Sequence, residues 1–173
     1  MSQTLVAPVT DAPRESDLVF EDLYRTSRDD VYAYAAGLLR DPAAAEDVTA
    51  TAFERAYRKR RRFDPRRGSP RAWLFGIARN AALDELRRRG RQRRLAADPA
   101  DEGSAAIPDV SAERLALREA LQRLGPRDRE LIALRYFSGL SLAEVGSVLG
   151  ISESNAGTRL HRTITKLRAE VGE

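Results

Sequence analysis

Wherever apolar residues recur in this chain, they recur at helical spacing. Val31, Ala35, Leu38 and Leu39 stand at i, i+4, i+7 and i+8. Ala45, Val48, Ala52, Phe53 and Ala56 keep the same period, as do Leu74, Ile77, Ala78, Ala81 and Leu86. This spacing gathers each set on one face of an α-helix, and no segment shows the two-residue alternation of a half-buried strand. The punctuation agrees. Asp41-Pro42 and Ser69-Pro70 each place a capping residue before a proline at the first helical position. Ser141 with Glu144 three residues on is a capping box, and Ser152 is a fresh cap just past Gly150. The chain is expected to be all-α.

The breaks between helices set the organisation. Residues 1–16 mix Pro, Thr, Ser and Ala without period and are expected to be a disordered tail. A helical unit should occupy 17–94, with the basic run Arg58–Arg62 ending one helix, a Pro/Gly loop at 63–68, and the next helix stopping at Gly90. Residues 95–110 hold two prolines and no basic residue, which suits a flexible acidic linker better than a loop inside a compact domain. A second unit over 111–173 carries an apolar stripe at Leu117, Leu121 and Leu124, closed by Gly125-Pro126. It continues with a short helix bearing Leu131, Leu134 and Phe137.

Net charge conceals more than it tells. Lys and Arg number 30 against 26 Asp and Glu, or +4 overall. Residues 1–54 carry −7, residues 55–94 carry +13, residues 95–110 carry −4 and residues 111–173 carry +2. One quarter of the chain is thus a polycation between acidic flanks. Nearly all of it is arginine, whose planar fork suits phosphates and stacking. These arginines interleave with Tyr57, Phe63, Trp73 and Phe75, and Asn80 follows on the next helix. Unstacked single-stranded bases need such a set: a stacking surface beside a phosphate track. Trp73 could equally be core, since it neighbours Leu74.

The second unit offers a different reading surface. Ser141 to Leu167 is a short helix, a glycine turn and a longer helix, the layout of a helix-turn-helix, whose second helix enters the major groove. With Ala156, Leu160, Ile164 and Leu167 inward, the outer face shows Ser154, Asn155, Thr158, Arg159 and Arg162, which suit base edges and phosphates.

Catalysis finds little support. No cysteine is present, so disulfides and thiol chemistry are excluded. His161 is the single histidine. The pairs Glu46-Asp47 and Asp84-Glu85 are adjacent, so on a helix they diverge. No metal-ligand spacing or phosphate-binding glycine loop occurs. No enzymatic activity, metal or cofactor is expected. No apolar run approaches the ~20 residues of a membrane span. No signal peptide is visible, so the cytoplasm is the expected compartment.

Together these features resemble the RNA polymerase sigma factors of bacteria, in the small extracytoplasmic-function (ECF) group of the sigma-70 family. The first unit is similar to the family's domain 2 through Ala45–Tyr57 and Arg71–Arg87. The second is similar to domain 4 through Leu124–Leu131 and Ser141–Arg168. The resemblance implies two small helical domains and core RNA polymerase, promoter DNA and an anti-sigma factor as partners. It implies that Glu46, Asp47 and Arg55 dock on the clamp helices of the largest polymerase subunit. Arg62, Phe63, Arg66, Arg67, Arg71, Trp73, Arg79 and Asn80 would hold the melted −10 element with a base turned into a pocket, and the second unit would read the −35 element as duplex. About 20 extended residues span at most ~70 Å, about 20 base pairs at ~3.4 Å each, so one tether can serve both elements. Three places depart from the family pattern: Ala50-Thr51 replace a Gln-acid pair, Gly146 an alanine, and Ala156-Gly157 a valine and a basic residue. From the residues alone, a duplex-binding transcription regulator and an RNA-binding adaptor stay open as rivals.

Overall fold

The computed structural model describes residues 15–96 and 112–172, and in that range all regular structure is helical. Helix α1 spans Glu15–Leu39, α2 Pro42–Lys59, α3 Pro70–Ala96, α4 Ala112–Arg123, α5 Pro126–Ser138, α6 Leu142–Leu149 and α7 Glu153–Val171. The expected tail and linker otherwise fall outside the described residues.

The caps form as the sequence predicts. Asp41 accepts from the Ala44 amide at 3.1 Å, and Ser69 accepts from the Ala72 amide. Both halves of the Ser141–Glu144 box are made, and Ser152 accepts from the Asn155 amide at 3.2 Å. The α2 helix tightens into a 3-10 turn at Arg60–Arg62. A second such turn, Pro65–Arg67, sits inside the Pro/Gly loop, capped by Asp64.

Two ends differ from expectation. Helix α1 starts at Glu15, before Asp17, because acids in its first turn suit the helix dipole and Asp17 pairs with Arg60. Helix α3 runs through Gly90 to Ala96. A helical glycine costs about 1 kcal/mol relative to alanine, but side-chain pairing offsets it here. Arg88 and Arg89 grip Glu85 at 2.7 and 2.8 Å, and Arg89 reaches Asp41 at 2.7 Å. These guanidiniums, Arg88 foremost, hold the Glu85 carboxyl down at about 2. The extension takes Leu95 and Ala96 out of the expected tether.

The stripes on α1 and α2 are buried throughout, and Leu74, Ile77, Ala78 and Ala81 are buried on α3. Leu86, Leu117 and Phe137, expected inward, are at least a third exposed. The two units share one continuous core. Leu131, Leu134, Leu140 and Val145 of the second join Val31, Tyr34, Leu74 and Phe75 of the first, with α5 against α1 and α6 against α3. Fully burying such a side chain stabilises by roughly 1.5–3 kcal/mol. The charged linker sequence therefore joins two units that lie face to face.

Candidate nucleic-acid interface

Asp64 and Gly68 turn the chain between α2 and α3 so that the basic loop lies beside the first turns of α3. Gly68 adopts φ +145°, a conformation that side-chain-bearing residues rarely take. The result is a cavity of about 400 Å³ whose walls include Arg62, Phe63, Arg67, Trp73, Gly76, Ile77 and Asn80. Five of the eight residues assigned to the −10 strand thus share one pocket. Phe63 and Trp73 face each other with ring centroids 5.4 Å apart and planes at 54°. Trp73 is partly buried and packs against the core, while it also lines the pocket. Arg62, Arg66, Arg67 and Asn80 are exposed, and none of the three arginines forms an ion pair among the described residues.

Arg71 and Arg79 point elsewhere. Arg71 donates to the Ser138 carbonyl at the end of α5, to Ser27 Oγ at 2.9 Å, and to Asp30. Its guanidinium thereby places positive charge at a helix C-terminus, where the dipole favours it. Arg79 donates to Glu130 of α5 at 2.6 Å, with both side chains largely buried. Tyr34 is buried nearby, and burial, reinforced by the Glu130 charge, pushes its phenol pKa up. Ser69 donates to Glu144 of α6. That hydroxyl and the Ser141 amide hold the Glu144 carboxyl below its usual range. Ser147 and Val148 of α6 also line the pocket. The sequence reading missed all these partners: Ser27, Asp30, Glu130, Ser138, Ser147 and Val148. None carries a local signal, because each acts across 40 or more residues of chain.

The expected recognition residues lie on α7. Ser154, Asn155, Thr158 and Arg162 are exposed on it. Arg159 is half-buried and meets Asp128 of α5 at 3.5 Å, so it stands at the edge of that face. Ala156 is fully buried. Gly146 is required by close packing: a Cβ there would fall 2.8 Å from the Ile151 carbonyl oxygen. Gly157 is not so constrained, since its Cβ would meet only Leu142 Cδ1 at 3.7 Å. On α2, Glu46, Asp47 and Ala50 are exposed, while Arg55 is paired with Asp84 at 3.0 Å. Among the described residues no group of three or more His, Cys, Asp or Glu could hold a metal ion. No described helix is long and apolar enough to cross a membrane.

A basic pocket holding a tilted aromatic pair, together with a helix-turn-helix that has an open polar face, defines the class: a DNA-binding protein. The family comparisons give it a place. The Sigma-70 region 2 model matches residues 23–92, and the Sigma-70 region 4 model matches residues 114–167. The chain is 40% identical over 161 residues to the RNA polymerase sigma factor CarQ of Myxococcus xanthus, covering 89% of this chain and 90% of that one. It is 31% identical over 173 residues to the ECF RNA polymerase sigma factor SigL of Mycobacterium tuberculosis, covering 97% of each. Among solved structures, the sigma factor RpoE of Bartonella quintana, in complex with the anti-sigma factor NepR, superposes with a TM-score of 0.77 at 25% identity. That match covers 88% of this chain and 96% of RpoE. CnrH, in complex with the cytosolic domain of CnrY, gives 0.63 at 28%, covering 87% and 85%. The chain belongs to the sigma-70 family of RNA polymerase sigma factors, in its ECF group. It directs transcription initiation as a partner of core RNA polymerase and promoter DNA, and the stand-alone regulator is not favoured.

Proposed function

We propose that the two surfaces divide promoter recognition between them. The first unit, expected over 17–94, takes the non-template strand of the −10 element. The second, expected over 111–173, reads the −35 element as duplex. The observation that carries this reading is the pocket between the basic loop and α3, where Phe63, Trp73, Arg62, Arg67 and Asn80 converge. Aromatic faces take an unstacked base and arginines take the flanking phosphates. A flipped base costs a few kcal/mol of unstacking, which such contacts offset. Arg71 and Arg79 join that strand only after leaving Ser138 and Glu130. On the −35 side, Ser154, Asn155 and Thr158 address base edges, while Arg159 and Arg162 address phosphates. Glu46 and Asp47, exposed on α2, and Arg55 two turns further along the helix take part in docking the polymerase.

The chain supplies binding and no bond-making chemistry of its own, and works in the cytoplasm, where polymerase and chromosome meet. An anti-sigma factor as regulator follows the precedent of RpoE with NepR and CnrH with CnrY.

The test is reconstituted transcription from a genome-wide promoter pool. Core polymerase with this chain should initiate at promoters that core alone ignores, and no specific start sites from folded chain and active core would refute the reading. Within that assay, Arg159→Ala should weaken −35 duplex binding and flatten its salt dependence by about one in the log–log slope. An unchanged slope would remove the phosphate contact.

A further inference from the structure

Tyr34 is fully buried, and its hydroxyl finds no hydrogen-bonding partner among the described residues. A buried phenol ordinarily has one. The ring lies where three helices meet. Phe75 of α3 meets it edge-on, with ring centroids 5.8 Å apart. Asp30, Tyr34 and Gly37 follow one another on α1 at spacings of four and three residues, so they share one face. Both ends of that face are covered by the second unit. Asp30 binds Arg71, which also holds the Ser138 carbonyl at the end of α5. A Cβ built on Gly37 would lie 3.5 Å from the Phe137 ring and 3.7 Å from Ala133 Cβ, both on α5. Between these ends, the charge of Glu130 on α5 reaches the phenol. That carboxylate turns both oxygens to Arg79, at 2.6 and 3.5 Å.

A phenylalanine would fill the same space, keep the same ring contact and leave no polar atom to satisfy. A buried hydroxyl without a partner forfeits its hydration, so it disfavours whichever arrangement buries it. Helix α5 of the second unit supplies one wall of this burial. When α5 lifts away, that face of α1 opens to water and the hydroxyl is hydrated. The cost therefore falls on the packed arrangement of the two units, not on the first unit by itself.

We propose that Tyr34 is a positioning residue that sets how readily the two units part. Its buried hydroxyl opposes the contacts that hold them together: Arg71 with Ser138, Arg79 with Glu130 and Ser69 with Glu144. The core shared by the units favours closure, and so do these three contacts. The hydroxyl is the group at the same junction that favours opening, and it keeps the parted arrangement populated. A ligand that needs the parted arrangement binds with an affinity scaled by that population. This last consequence rests on the strand-binding reading, whereas the parting itself does not.

The chain contains no cysteine, so a single introduced thiol can report the parting in the free full-length chain. Ala133→Cys places one on α5 at its contact with α1, and Ala52→Cys places one in the core face of α2, both at buried positions. Labelling is run slowly enough to track the open population at each site. With Tyr34 in place, Ala133→Cys should label faster than Ala52→Cys, because the units part without unfolding. Tyr34→Phe should slow labelling at Ala133→Cys about tenfold, a shift of about 1.4 kcal/mol. It should weaken binding of a single-stranded −10 oligonucleotide to the free chain by the same factor. Tyr32→Phe, which removes a hydroxyl from a half-buried ring on the same helix, should change neither. Unchanged labelling at Ala133→Cys in Tyr34→Phe would overturn the proposal. So would faster labelling, which would mean that the hydroxyl holds the units together through a water. Slowing at Ala52→Cys alone would place the cost inside the first unit and overturn it as well. Equal rates at the two sites with Tyr34 present would do the same, since the units would then not part short of unfolding. Slowed labelling at Ala133→Cys, with no strand binding by any of the chains, would uphold the role of Tyr34 and refute the strand-binding reading.

Discussion

The two surfaces to which the proposed function assigns DNA stand in opposite states. On α7, Ser154, Asn155, Thr158 and Arg162 face solvent. The strand pocket of the first unit is bordered by Ser147 and Val148 of the second, and two of its neighbouring arginines are held by Ser138 and Glu130. The Glu130 carboxylate sits against Arg79, the place the proposed function gives to a phosphate. Duplex reading by α7 is thus compatible with the packed arrangement. On the proposed function, strand capture by the full set of arginines requires the units to part, because Ser138 and Glu130 hold two of them. The open surface is built within one unit and the covered one is shared between two, so only the second is coupled to the domain arrangement.

The largest expected effect sharpens the contrast between stacking and groove reading. In holoenzyme, Trp73→Ala should weaken single-strand −10 binding by about 1–3 kcal/mol, the worth of one aromatic stack. Binding of −35 duplex should not change. Trp73→Phe, which keeps a stack, should recover most of the loss. Equal losses on both probes would mean that the substitution damages the shared core rather than a base contact.

Next in size is the clasp between the units. Glu130→Gln removes the charge that holds Arg79, so the free chain should bind the −10 strand about tenfold better, a shift of roughly 1.4 kcal/mol. Its radius of gyration in solution scattering should increase. An unchanged radius and affinity would break the comparison, because the closed arrangement would then owe nothing to this pair.

The smallest effect is a pH dependence at Ser69–Glu144. The Glu144 carboxyl is lowered from 4.5, first by the Ser69 hydroxyl. A group depressed in the folded state stabilises above its unfolded value and loses that contribution as pH falls through the lowered value. Compactness measured by scattering should therefore be flat from neutral pH down to about 4.5 and decline below it. Ser69→Ala should blunt that decline, and a profile identical to wild type would remove the contact from the balance.

Much of this molecule was legible from local pattern. Helical period placed the core faces of α1 and α2, and capping residues placed four helix starts. The run of arginines among Phe63, Trp73 and Asn80 is also visible in the sequence, and the fold brings Arg62, Phe63, Arg67, Trp73 and Asn80 to one pocket. The reading failed where local preference met a distant partner. Gly90 looked like a stop, yet α3 continues, because Arg89 bridges Glu85 and Asp41. Leu86 keeps the helical period of its neighbours and is still exposed, because among the described residues no element covers it. The resemblance assigned Arg71 and Arg79 to the −10 strand, and no local signal pointed to the intrachain partners they hold, which lie 41 to 67 residues away along the chain.

Sequence by itself determined that the chain is helical, where most helices start, and which segments carry positive charge. Those properties depend on neighbours within four residues and on composition, so they are written locally. Only the tertiary structure decided that the two units share a core, that Glu130 and Ser138 hold the arginines of the strand site, and that Gly146 rather than Gly157 is sterically required. Burial and long-range pairing depend on which surfaces meet, and no local period encodes that.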